Sequence, residues 1–265
     1  MLENPLKTKL ARDEPILGIW SIIPSPILAE VIATSGLDFQ ILDMEHGPFD
    51  LLALDGSIRA CETAGCSPIV RVPGVAPFVI QSVLDLGAHG IVVPQVADQQ
   101  AASVAVQCAK YAPDGTRGYN PFTRAALYKN PPNNQQGKLD NAFGFCSVII
   151  ESLSAYAALD QILEVPGLDM VYLGVYDMAV AMGCRGNTHD PQVTAFVNTA
   201  IPRIRKAGKA AGMMAMSPTD MARALDLGAN VLVYGVDTYV IHRSLREAGE
   251  AFRGCAVQTS GRALT

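Results

Sequence analysis

Two carboxylates and two nitrogen bases stand where apolar runs of the sequence end. Ser147-Val148-Ile149-Ile150 terminates in Glu151, and the run from Met170 passes through Gly174-Val175-Tyr176 to Asp177. Two like charges held close in a partly buried mouth repel unless a cation lies between them or one takes up a proton. Oxygen ligands of this kind suit Mg²⁺ or Mn²⁺, with the remaining positions left to water and substrate. The competing reading is that Glu151 caps the helix that follows and Asp177 forms a surface ion pair. His46, in Asp43-Met44-Glu45-His46-Gly47-Pro48, is placed to act as a general base, because imidazole titrates near neutrality. It would serve equally as a structural histidine bonded to a loop carbonyl. The other histidines are less promising: His89 falls at a strand entrance, His189 in a helix approach and His242 on a late helix. Arg71 closes the run Pro68-Ile69-Val70. A buried guanidinium needs an anion, which is either a carboxylate or enolate of a substrate or an internal partner, Asp43 or Glu45.

Other chemistries lack their residues. An iminium mechanism needs a lysine at the end of a strand, but Lys7, Lys9, Lys110, Lys129, Lys138, Lys206 and Lys209 fall in the N-terminal arm, at helix ends or in a long loop. The sequence contains no GxSxG elbow, no GxxxxGK[ST] phosphate loop and no GxGxxG dinucleotide fingerprint after its first strand.

The elements that must position these groups alternate regularly. Apolar, β-branched runs predict strands at Leu17–Ile22, Phe39–Met44, Pro68–Val72, Gly90–Pro94, Cys146–Ile150, Met170–Val175, Ala210–Ala215 and Val231–Val236, each of a kind buried on both faces of a parallel sheet. Helical spacing predicts Ile27–Thr34, Leu51–Thr63, Pro77–Leu86, Gln99–Lys110, Ser154–Glu164, Pro191–Ala207, Pro218–Leu227 and Val240–Phe252 between them. Ser25-Pro26, Asp190-Pro191 and Ser217-Pro218 are helix starts, and Gly36, Gly65, Gly87, Gly208 and Gly228 are left-handed helix ends.

Eight such units in 265 residues predict a single (β/α)8 TIM barrel spanning 1–265, with an open doubly wound sheet as the runner-up. A Pro-, Asn- and Gly-rich segment at about 112–143 is too long for an ordinary connection and is read as functional or interfacial, and the chain after 254 as a polar, frayed tail. In such a barrel the catalytic groups gather at the carboxyl ends of the strands. That rule brings together Asp43 to Pro48, Arg71, Gln95, Glu151 and Asp177.

A net charge of −5 gives no electrostatic reason to expect nucleic acid or an anionic membrane, and no apolar stretch approaches a membrane span. Six scattered cysteines without a CxxC pair, and no evident signal peptide, are expected of a reduced, cytoplasmic protein.

In matching order from about Leu17 to Ala248, the phrases "GIW", "GLDFQILDMEHGP", "IVRVP", "LDLGAHGIVVPQV", "YAPDGTRG", "IIES", "GLDMVYLGVYDMA" and "GVDT" resemble the HpcH/HpaI aldolase family. Its members are metal-dependent class II pyruvate aldolases with barrels of the phosphoenolpyruvate/pyruvate-binding type. The resemblance implies cleavage of a 4-hydroxy-2-oxo acid to pyruvate and an aldehyde through an enolate, by a homo-oligomer, trimer or hexamer. It implies that Glu151 and Asp177 hold Mg²⁺, Mn²⁺ or Co²⁺, that His46 is the base, that Arg71 stabilises the enolate, and that Asp85 raises the basicity of His46. The strand reading puts Asp85 near the opposite rim and makes Asp43 the easier partner. Trp20, Gln95, Ile149 and Tyr176 are the expected substrate contacts. Ile149 stands where family members often carry Gln, and Gly174-Val175-Tyr176-Asp177-Met178-Ala179 stands where the usual phrase is Gly-Pro-x-Asp-Leu-Ser. Because these changes fall beside the metal ligands, an oxaloacetate-type decarboxylase, another enolate lyase or a non-catalytic 2-oxo-acid-binding barrel are the alternatives.

Overall fold

The computed structural model describes residues 3–128 and 141–262, with side chains as far as residue 255. Among the described residues, eight parallel strands close into one barrel in chain order: β1 (Ile16–Ser21), β2 (Phe39–Asp43), β3 (Ser67–Arg71), β4 (Gly90–Val93), β5 (Phe145–Ile150), β6 (Met170–Leu173), β7 (Ala210–Met214) and β8 (Val231–Val236). Around it run α1 (Pro5–Ala11), α2 (Pro26–Ala33), α3 (Leu51–Thr63), α4 (Pro77–Asp85), α5 (Gln99–Ala109), α6 (Leu153–Ala157), α7 (Leu159–Leu163), α8 (Val175–Ala181), α9 (Pro191–Lys206), α10 (Pro218–Asp226) and α11 (Asp237–Arg262). The expected barrel is therefore the fold, and the open sheet is excluded by the β1–β8 ladder.

The three Ser/Asp-Pro starts behave as read. Ser25, Asp190 and Ser217 each accept a hydrogen bond from an amide in the first turn of the following helix. All five helix-ending glycines take positive φ.

Two layers of apolar side chains hold the structure. Residues on the outward side of the strands, such as Val70, Ile91, Val148 and Val171, pack against the helices. Those pointing inward fill the barrel from Ile16, Phe39, Ile69 and Phe145 at its floor to Trp20, Ile149 and Tyr172 below its mouth. No helix among the described residues is long and apolar enough to cross a membrane.

Four features depart from the sequence reading. Helix α1 lies in the N-terminal arm, where the pattern predicts no element. It has only seven residues, with Leu6 and Leu10 as its short apolar face, and tertiary contacts place it: Leu6 joins the floor with Leu10 beside it, while the Asn4 side-chain amide donates to the carbonyls of His89 and Phe143. The expected Ser154–Glu164 helix breaks at Ala158 into α6 and α7. Strand β6 stops at Leu173, and Val175, its last residue by sequence, opens α8 instead. Finally, α11 continues as helix to Arg262, through the segment from 254 whose composition suggests a frayed tail.

The described parts of the long segment, 112–128 and 141–143, lie at the amino-end rim, opposite the barrel mouth. Its Arg117 pairs with Asp85 and its Arg124 with Glu62, and residues 129–140 lie outside the described part.

The β1–β8 seam is irregular. Gly18 pairs with Val233 and Trp20 with Val236, so β8 carries an extra residue, accommodated by Gly235 at φ +137°. The bulge delivers Asp237, 2% exposed, to the end of the seam. There its Oδ2 accepts the amides of Ile22 (3.1 Å) and Ile23 (3.0 Å) and its Oδ1 that of Thr238 (2.7 Å). Asp237→Ala orphans these amides and is expected to lower the free energy of urea unfolding by about 2–3 kcal/mol. Asp237→Asn, which keeps one acceptor oxygen, should lose less. An Ala variant with the wild-type midpoint would show that the carboxylate does not hold the seam.

Candidate active site

Where β2 ends, the chain must turn over the barrel rim, and Asp43 organises that turn. Fully buried, it accepts the amides of Glu45 (2.9 Å) and His46 (3.3 Å) on Oδ1, an Asx turn. Gly47 completes it, since a Cβ there would stand 2.4 Å from the Asp43 carbonyl oxygen. On the adjoining strand Arg71 donates Nε to Asp43 Oδ1 at 2.8 Å and Nη2 to Oδ2, while its Nη1 pairs with Glu45 at 2.9 Å. The guanidinium lies over the Trp20 indole, 4.4 Å from its centroid, and Trp20 Nε1 donates to the Tyr172 hydroxyl at 3.3 Å. Burial works against the charge on Arg71, but Asp43, Glu45 and Glu151 outweigh it and raise its pKa.

On the other side of the mouth, Glu151 follows β5. Its Oε1 accepts the amide of Gln95 at 2.6 Å, and the Gln95 side chain donates to Glu45 at 3.0 Å. Gln95 achieves both contacts from a left-handed conformation, φ +56°. Burial is the main cause raising the Glu151 pKa, and the nearby charges of Asp177 and Glu45 add to it, against the opposing Gln95 amide and Arg71. Gly174 makes room, since a Cβ there would approach Glu151 Cβ to 2.6 Å and Oε2 to 3.0 Å. Asp177 lies in the first turn of α8.

These ends surround a cavity of about 440 Å³ whose walls include Asp43, His46, Arg71, Glu151, Asp177, Trp20, Ile149 and Tyr176. Gln95 does not line it but braces it through Glu151 and Glu45.

The structural alternatives for the acidic pair find no support. Ser152, not Glu151, caps α6, and the Asp177 side chain has no ion pair or hydrogen bond among the described residues. The imidazole of exposed His46 also makes no hydrogen bond among them; Asp43 meets only its backbone amide. Asp43 is therefore the partner of Arg71 rather than of the His46 ring. For Arg71 the internal ion pair and the cavity position both hold. Asp85 is not brought to the mouth within the chain. It ends α4, and a helix that follows a strand returns to the opposite rim, where Arg117 binds it at 2.5 Å.

Sequence reasoning missed Ile22, Tyr172, Met214, Met216, Val236 and Tyr239 in the cavity wall, as well as the role of Asp237. The alternation Met214, Met216 past β7 and the charge directly after β8 were signals available to the rule that located Glu151.

No group of three or more His, Cys, Asp or Glu side chains suited to a metal occurs among the described residues. Glu151 and Asp177 nevertheless fit a divalent cation of the Mg²⁺ type, which is bound through one or two carboxylates with water and substrate completing its shell. The repulsion from Asp177, which adds to burial in raising the Glu151 pKa, is what such a cation relieves.

Residues 17–243 match the family model described as HpcH/HpaI aldolase/citrate lyase. The chain is 36% identical over 254 residues to a hydroxypyruvate/pyruvate aldolase of Pseudomonas aeruginosa, covering 96% of this chain and 94% of that one. It is 33% identical over 255 residues to a 2-keto-3-deoxy-L-rhamnonate aldolase of Escherichia coli, with the same two coverages, 96% and 94%. The crystal structure of a family protein from Burkholderia cenocepacia superposes with a TM-score of 0.88 at 28% identity, covering 94% of this chain and 99% of that chain.

Gly174→Ala is expected to displace the Glu151 carboxylate and weaken divalent-cation binding about 10-fold or more, the range seen when supporting residues of metal sites are lost. Calorimetric titration with Mn²⁺ measures this. Unaltered affinity would mean that the gap beside Glu151 is not part of the site.

Proposed function

The chain belongs to the HpcH/HpaI aldolase/citrate lyase family, and from that membership we propose that it is a divalent-metal-dependent aldolase cleaving a 4-hydroxy-2-oxo acid to pyruvate and an aldehyde. The observation that carries the proposal is the convergence of Glu151, Asp177, His46 and Arg71 on one cavity. Glu151 and Asp177 are the ligands for Mg²⁺, Mn²⁺ or Co²⁺. A cation bound there supplies Lewis acidity toward the 2-oxo acid.

The chain's own residues do the rest. His46, whose ring makes no hydrogen bond among the described residues, takes the proton of the 4-hydroxyl. The oxygen lone pair then forms the aldehyde carbonyl, the C3–C4 bond breaks, and its electrons move onto the pyruvate half as an enolate. Arg71 faces the enolate oxygen. Held by Asp43, Glu45 and Trp20, it needs no reorganisation as negative charge develops there. Protonation at C3 releases pyruvate.

The reading includes a homo-oligomer in the cytoplasm, acting on a small-molecule 2-oxo acid. Its supports are the exposed Leu245 and Phe252 of α11 and the free thiols of Cys61, Cys66, Cys108, Cys146 and Cys184.

In a coupled assay for pyruvate release, His46→Ala is expected to lower kcat by about 10²–10⁴-fold, the usual contribution of a positioned base, while Mn²⁺ still binds. Glu151→Ala should abolish Mn²⁺ binding and turnover together. A wild-type rate in the His46 variant would remove the proposed base.

Acidity offers a separate check. Because the Glu151 pKa is raised above the ordinary carboxyl value, the folded chain without metal holds this proton more tightly than the unfolded chain. Glu151 therefore withdraws stability as pH rises between the two values. Mn²⁺ competes with the same proton, so the Tm gain from added Mn²⁺ should grow with pH across that window. A gain that is flat with pH would contradict the assignment of Glu151 as ligand.

A further inference from the structure

The walls of the cavity are chemically divided. The ends of β2, β3, β5 and β6 bring every charged lining residue among those described: Asp43, Arg71, Glu151 and Asp177, with His46 beside them. The opposite wall, from β7 through β8 to β1, is Met214, Met216, Val236, Tyr239, Trp20 and Ile22, without a single charge. Tyr176 extends it from one side, and Ile149 lies between the halves.

Charge balance sharpens the division. Three lining carboxylates face one lining guanidinium, a balance of two negative charges. One divalent cation brings that balance to zero, and the carboxylate of a 2-oxo acid then already exceeds it. Arg71, the one Lys or Arg lining the cavity among the described residues, is held at the oxo-acid side by Asp43, Glu45 and Trp20 and leaves no cation at the opposite wall. Arg223 borders an adjoining groove of about 110 Å³ and does not line the cavity; Val175, Tyr176, Met214 and Met216 line both spaces.

With the oxo-acid end of a substrate held at Glu151, Asp177 and Arg71, the rest of it meets the uncharged wall across the cavity. A second anionic group there would lose water to apolar side chains and meet no counter-charge among the described lining residues, whereas an alkyl or aryl group would exchange water for sulfur and ring contacts.

Resting on the aldolase reading above, we propose that the Met214–Met216–Val236–Tyr239–Trp20–Ile22 wall is the binding surface for the aldehyde half, and that it selects uncharged, apolar or aromatic aldehydes over those bearing a carboxylate or phosphate. Ile149, where a polar residue would have offered a hydrogen bond, contributes to the same selection.

A matched set of substrates tests this on the full-length, Mn²⁺-loaded enzyme. 4-Hydroxy-2-oxoheptanoate and 4-hydroxy-2-oxoheptanedioate differ only in a terminal methyl against a carboxylate, and 4-hydroxy-2-oxo-4-phenylbutanoate adds an aromatic leaving aldehyde. Pyruvate release is expected to give a kcat/KM at least about 10-fold higher for the methyl and phenyl substrates than for the heptanedioate, the size of effect expected when a charge is set against apolar side chains without a partner. Met214→Arg, which introduces a cation into the wall, should narrow the ratio about 10-fold by raising the heptanedioate value, and Met216→Arg provides the same test from the neighbouring position. Equal or better use of the heptanedioate by the wild-type enzyme overturns the proposed selection while leaving the aldolase intact. Pyruvate from none of the three overturns the aldolase reading itself.

Discussion

The buried pair Asp43–Arg71 is the constraint on which the mouth of this barrel depends. The β2–β3 ladder sets the two residues directly side by side, so the sheet register itself makes the contact, and a slip of one residue would turn both away. Asp43 is fully buried, and removing either partner of such a pair leaves an uncompensated charge at a cost of about 3–5 kcal/mol. The pair acts through geometry. With its carboxylate fixed, Asp43 gathers the amides of Glu45 and His46 and so aims the turn that carries the imidazole. With its fork fixed, Arg71 stacks on Trp20, whose indole in turn bonds Tyr172 across the barrel.

A second brace joins the two acidic sides. Gln95 gives its amide to Glu151 and its side chain to Glu45, and these two carboxylates repel each other. Placing one dipolar residue between them lets Glu151 face the cavity, with Glu45 behind it, without a protein cation on Glu151. That arrangement leaves Glu151 with a raised pKa and an appetite for an external positive charge. The left-handed backbone of Gln95 is where the chain accommodates it.

Much of this is visible in the sequence. The eight strands emerge from their β-branched runs, with ends displaced by no more than two residues, because a barrel buries each strand on both faces and leaves a continuous apolar signal. The rule that strands deliver their last polar residue to the mouth then locates His46, Arg71, Glu151 and Asp177. The features that stay hidden depend on neighbours distant in sequence. Helix α1 owes its existence to the floor that Leu6 covers, and α8 begins at Val175, a residue whose own preference is for strand. The partner of Asp43 cannot be chosen between Arg71 and His46 without the register. The apolar wall escapes notice because Met214, Met216 and Val236 look like ordinary core residues until the cavity gives them a face.

Helix α1 has one more effect. Leu6, with Ile16, Phe39, Ile41, Ile69, Val92, Phe145, Met170 and Val231, stoppers the lower end of the barrel, and the gap of about 10 Å³ left among them is wholly apolar. Among the described residues, that end of the barrel is closed to water and ions. The charged groups of the cavity therefore exchange with solvent at the carboxyl ends of the strands, and the plugged floor gives them a dry, low-dielectric backing on the other side.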